Sequence, residues 1–138
     1  MNISSSDCRI QRTSERLVTR KRNYDPISAD LIELHWLPIR QRIDFKVLVL
    51  VYKSIHHQTP QYISDMLQVQ PIVRRLRSNS SHRFVELRTH RSTFADKSFS
   101  CYTPKIWNQL PELIKCAESV DIFKKLLKHH LFELVYNQ

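Results

Sequence analysis

The sequence predicts a mainly α fold: a small helical domain of about five or six helices, with room for one short two-stranded β ribbon. Three observations predict it. Over residues 38–57 the apolar side chains Ile39, Ile43, Val47 and Leu50 recur every three or four positions, which is a helical period. Val120, Phe123, Leu127, Leu131 and Leu134 repeat that period near the end of the chain. Glycine is absent, where average usage of about 7% would place about ten. Without a residue that takes positive φ cheaply, tight hairpins are costly. Helices joined by proline-initiated turns are favoured, and left-handed helix caps must fall to Asn, Asp or His.

The elements follow in order. Residues 6–22 read as a basic helix. Arg9, Arg12, Arg16 and Arg20 share one face, while Ile10, Leu17 and Val18 form a thin apolar stripe. Residues 23–25 make a turn. Pro26 opens a short helix with Leu31, Ile32 and Leu34 for the core, and Leu37, lying before Pro38, is pushed out of helical geometry. Pro38 starts the long helix, which Thr59-Pro60 ends; residues 60–67 fold back as a second, short helix. The apolar run 47–52 goes all round that helix, so it is expected to be buried on most sides.

Residues 68–83 lose the pattern and read as a basic loop. The segment 82–91 alternates enough to be a strand, with Thr93-Phe94 as its antiparallel partner. Thr103 and Pro104 read as an N-cap and first helical residue, followed by Ile106, Trp107 and Leu110. Residues 111–115 add one helical turn. Ser119 caps the last helix, with Asp121 in its first turn. The expected core is Trp36, Ile43, Val47, Leu50, Val51, Trp107, Leu110, Phe123, Leu127 and Leu131. We divide the chain into a basic N-terminal helix, residues 1–24, and a helical domain, residues 25–138.

Charge is the main functional signal. The chain of 138 residues has 22 Lys and Arg against 13 Asp and Glu, a formal net charge of +9. Such an excess favours polyanionic partners, RNA or DNA above all, and is also compatible with a solvated basic surface. Two arginine groups stand out: Arg12, Arg16 and Arg20 on the first helix, and Arg74, Arg75, Arg77, Arg83, Arg88 and Arg91 around the loop and ribbon. Both suit contact with phosphates.

Chemistry-bearing motifs are missing. With no glycine there is no phosphate loop. No Cys-His set has zinc spacing, and the adjacent pairs His56-His57 and His129-His130 point to different sides of a helix. No metal, cofactor or catalytic residue is expected. The three cysteines and the absence of an apolar leader point to the cytoplasm or nucleus; no run approaches the ~20 apolar residues of a membrane span.

Four segments carry a resemblance: LHWLP at 34–38, RQRIDFK at 40–46, WNQLP at 107–111 and SVDIFKKLLKHHLF at 119–132. In this order and spacing they resemble the region downstream of the polymerase core in LINE-type (non-LTR) retrotransposon reverse transcriptases of the jockey-like group. The resemblance covers about residues 8–132. It implies a non-catalytic C-terminal domain that supports reverse transcription by sequence-nonspecific binding of RNA or DNA backbone. The family's metal-binding aspartate turn and its endonuclease are not in this chain, so no polymerase or nuclease activity is expected of it. The upstream polymerase thumb is the implied protein partner. Two further readings remain: a protein docking module, and a non-functional relic of a retrotransposon. Relatives carry glycine where this chain has His57 and Ala95.

Overall fold

The computed structural model describes residues 5–20, 28–70, 83–87 and 97–136. Among these lie seven helices: α1 (Ser5–Thr19), α2 (Ser28–Glu33), α3 (Ile39–Ile55), α4 (Gln61–Asp65), α5 (Phe99–Asn108), α6 (Glu112–Lys115) and α7 (Val120–Tyr136). The fold is mainly α, as the periodicity predicts. The described residues form no sheet; one isolated antiparallel bridge joins Val69 and Phe84. The partner expected for the 82–91 strand, Thr93-Phe94, lies outside the described residues, as do the turn at 23–25 and Pro26.

The chain compacts into two units, residues 1–45 with 127–138, and residues 46–126. The first unit holds α1, α2, the start of α3 and the end of α7. Its organising point is the turn around Pro38. α2 closes on His35, whose φ is 49°. The His35 amide donates to the Ile32 carbonyl (3.0 Å) and the Trp36 amide to the Leu31 carbonyl (2.9 Å). This bond pair is the usual partner of a left-handed helix cap. Leu37 is then buried between His35 and Pro38, outside any helix, as a residue before proline should be. Proline offers no side-chain cap, so α3 borrows one. The Gln11 side chain of α1 accepts from the Ile39 amide (3.0 Å) and donates to the Leu37 carbonyl (3.3 Å). From α7, Phe132 stacks on His35 with 5.4 Å between ring centres, and the Tyr136 hydroxyl donates to the Trp36 carbonyl at 3.2 Å.

The second unit carries most of the buried apolar surface. An aromatic series runs through it. Tyr52 stacks on Phe123 (4.3 Å, 21°), Phe123 on Trp107 (6.1 Å), and Trp107 meets Phe84 edge-on (6.0 Å, 63°). Each such pair adds about 0.5–1.5 kcal/mol beyond the area it buries. The buried Tyr52 hydroxyl donates to the Ala117 carbonyl, which fixes the α6–α7 connection on α3. α3 ends as α2 does. His57 takes φ 54°, its amide donates to the Ser54 carbonyl (3.2 Å), and the Gln58 amide reaches the Lys53 carbonyl (2.8 Å). α4 folds back on α3 through a hydroxyl pair, Ser54 with Ser64, at 2.9 Å.

Three expectations are corrected. α1 stops at Thr19, with Arg20 at φ 55°, rather than continuing to residue 22. α5 begins at Phe99, with Ser98 as its N-cap residue, and not at Pro104. Thr103, Pro104 and Trp107 lie at helical spacing on its buried face. That packing outweighs the single backbone hydrogen bond that a proline inside the helix forfeits. The buried face of α3 is Leu48, Val51 and Tyr52, while the expected Ile43, Val47 and Leu50 are only half-buried. The two faces differ by roughly 100°, the rotation of one residue. Because residues 47–52 are apolar all round, periodicity cannot choose between them. Of the remaining expected core, Val51, Trp107, Leu110, Phe123, Leu127 and Leu131 are buried, and Trp36 is half-buried.

At the other end the reading holds. Ser119 caps α7 by accepting from the Ile122 amide (3.3 Å), with Asp121 in the first turn.

Candidate nucleic-acid interface

The arginines singled out by sequence divide into three groups. Arg74, Arg75, Arg77, Arg88 and Arg91 lie outside the described residues, as does the side chain of Arg12. Arg16 is half-buried on α1. Arg20, at the end of α1, and Arg83 are exposed. Arg9 and Arg40 are exposed as well. The ion pairs among the described residues are Glu112–Lys115, Asp121–Lys124 and His129–Glu133. None of them engages Arg9, Arg20, Arg40 or Arg83.

Residues 68–70 and 83–85 are tied together. The Gln70 amide donates to the Arg83 carbonyl (2.8 Å) and the Val85 amide to the Gln68 carbonyl (2.9 Å). The other edge of the Phe84 backbone is held by a side chain. Asn108 accepts from the Phe84 amide (3.1 Å) and donates to the Phe84 carbonyl (2.9 Å), much as a neighbouring strand would. The same Asn108 nitrogen donates to Glu86 at 2.9 Å. Arg83 is therefore set beside a backbone bonded on both edges of Phe84.

Sequence reasoning missed a second basic feature, in the first unit. The Arg42 guanidinium lies 5.3 Å from the centre of the Trp36 ring, and its Nε donates to the Leu37 carbonyl at 2.9 Å. Beside this pair a groove of about 600 Å³ opens between α1 and α3, walled by Ile10, Gln11, Ser14, Trp36, Ile39, Arg42 and Ile43. A smaller hollow of about 180 Å³ shares Trp36 and Arg42 and adds His35, Leu37, Phe45 and Lys128. The signal was present as an Arg six residues after a Trp across a Pro turn. It could not be read without the turn geometry, and Trp36 was instead assigned to the core.

Among the described residues no group of three His, Cys, Asp or Glu is placed to hold a metal ion. Cys101 is a buried thiol and Cys116 an exposed one. No described helix is long and apolar enough to cross a membrane. Comparison with protein-family models, with curated proteins and with solved structures finds no match.

Proposed function

We propose that the chain is a non-catalytic nucleic-acid-binding domain, the C-terminal part of a LINE-type retrotransposon reverse transcriptase. It holds RNA or DNA through phosphate contacts with little sequence preference, in the cytoplasm or nucleus. One observation carries this reading: in a chain of net charge +9, exposed arginines on both units (Arg9, Arg20 and Arg40 on the first, Arg83 on the second) stand outside every ion pair described. Free guanidinium groups are the donors that phosphate recognition uses. The resemblance of the LHWLP and WNQLP segments to that family supports the assignment. The test is a filter-binding titration of RNA across salt. Binding should weaken with salt, each phosphate contact contributing a log–log slope of about −0.7 to −0.9. The double substitution Arg9→Glu and Arg20→Glu should flatten the slope by about two contacts' worth. Absence of binding at about 50 mM salt removes the reading.

A second reading, a protein docking module for an upstream polymerase thumb, is favoured by one specific observation. On α1, Ile10, Leu17 and Val18 are 66%, 76% and 57% exposed. An apolar stripe left this open is a contact face in many assemblies. Dimerisation, or binding to a thumb fragment, with no affinity for nucleic acid would select it.

A further inference from the structure

The groove beside Trp36 is more than a basic surface. Its wall has an aromatic ring, a planar cation held against that ring, and aliphatic sides from Ile10 and Ile39. Its rim has unspent hydrogen-bonding capacity. Ser14 uses its hydroxyl proton on the Ile10 carbonyl (3.0 Å), which leaves the oxygen free to accept. Gln11 uses its oxygen and one N–H on Ile39 and Leu37, which leaves a second N–H. Arg42 is fixed by its Nε, so little freedom is lost when its remaining N–H groups are engaged. The volume lies within the usual range of small-ligand sites, about 300–1,000 Å³.

We propose that this groove binds one unpaired base of a single-stranded nucleic acid. The base is received beside the Trp36–Arg42 pair, and a flanking phosphate falls to the remaining N–H groups of Arg42. The π-face of any base suits such a wall, so the site is sequence-tolerant and selects single strands over duplex, whose bases are stacked away. This rests on the nucleic-acid reading above and sharpens it from backbone contact to base capture.

The test uses the full chain and three probes at one low salt concentration: an A12 RNA, its DNA counterpart, and an abasic 12-mer that keeps the phosphates and lacks the bases. Binding is followed by anisotropy of the labelled strand, and Trp36 by its fluorescence, since Trp107 is buried at 1% exposure and beyond reach of the strand. Both intact strands should quench Trp36 saturably and bind about five-fold or more tighter than the abasic strand, the equivalent of about 1 kcal/mol of stacking. A preference between the RNA and DNA arms assigns the source of the base. Ile10→Glu should abolish the quench and remove the difference between intact and abasic strands. Leu113→Glu, an equal charge change at a site 74% exposed on α6, should leave both intact. Equal affinity for abasic and intact strands without quenching overturns base capture and leaves phosphate binding standing. Binding of none of the strands overturns both. Trp36 quenched by an apolar peptide but by neither strand makes the groove a protein site and overturns the proposal.

Discussion

His57 closes α3 in the left-handed region, at φ 54°, with both cap hydrogen bonds formed. A residue with a Cβ loses about 1–2 kcal/mol in that region, from the approach of Cβ to the following carbonyl. Glycine removes the clash but has more freedom to lose on folding, about 0.5–1 kcal/mol. The His57 ring is exposed and makes none of the ring contacts or hydrogen bonds described, so its removal forfeits little. His57→Gly should therefore stabilise the protein by roughly 0.5–1 kcal/mol, raising Tm by about 2–4 °C. His35 is the internal control. It has the same backbone, φ 49°, and the same bond pair, but its ring is stacked on Phe132 at 11° between planes. His35→Gly gains the same relief but loses about 0.5–1.5 kcal/mol of aromatic contact, together with the 3.3 Å contact of the ring Nδ1 with the Glu33 carbonyl, for a net change near zero or unfavourable. Reversible thermal and urea unfolding of the two variants and the parent measures the difference. If His57→Gly has an unchanged or lower Tm, the left-handed cap stores no strain and the reasoning fails.

Two other outcomes follow from the second unit. Asn108→Ala strips both partners from the Phe84 backbone and should cost about 2–3 kcal/mol in urea unfolding, with early loss of hydrogen-exchange protection at the Phe84 amide; full protection in the variant would show that the clamp is idle. Burial raises the pKa of the Tyr52 hydroxyl above its ordinary 10.0. The unfolded chain then releases that proton first, so the stability tied to neutral Tyr52 is complete below about pH 10 and lost as pH rises through the folded-state value. Tyr52→Phe should be less stable at pH 7, by about 1–3 kcal/mol from the unpaired Ala117 carbonyl, and should lack that part of the alkaline decline; identical alkaline profiles would refute it.

Much of the fold was legible because its signals are local. The Pro38 start and the Ser119 cap each depend on a residue's own backbone chemistry, and each falls within a residue or so of where the sequence puts it, whereas α3 stops at Ile55 on the left-handed His57, ahead of the Thr59-Pro60 break. What failed depended on partners distant in sequence. The Thr103-Pro104 pair has the local chemistry of a helix start, yet the position of Trp107 against Phe84 and Phe123 draws residues 99–108 into one helix. On α3 the buried face is chosen by Phe123 and Ala117, which grip Tyr52 from more than 60 residues away. The candidate site divides the same way. Charge identifies the arginines, but the turn at Pro38 brings Arg42 over Trp36, and Gln11 ties α1 to the start of α3 beside the groove.

The absence of glycine ties these points together. A chain with one glycine at each helix end could close α2 and α3 without strain and without help. This chain closes both on histidine, and the first unit then adds a ring stack on His35 and a tyrosine hydroxyl on the Trp36 carbonyl. Those two contacts hold the left-handed turn, and with it the direction in which Trp36 leaves the helix. The Trp36–Arg42 wall thus depends on the same residues that offset the missing glycine. A glycine at position 35 would relax the backbone and release the ring that fixes it. Base-dependent quenching should weaken in His35→Gly even where its Tm is unchanged, while His57→Gly, in the other unit, should gain stability and keep the quench. Parallel behaviour of the two variants would separate the cap from the groove and undo the link.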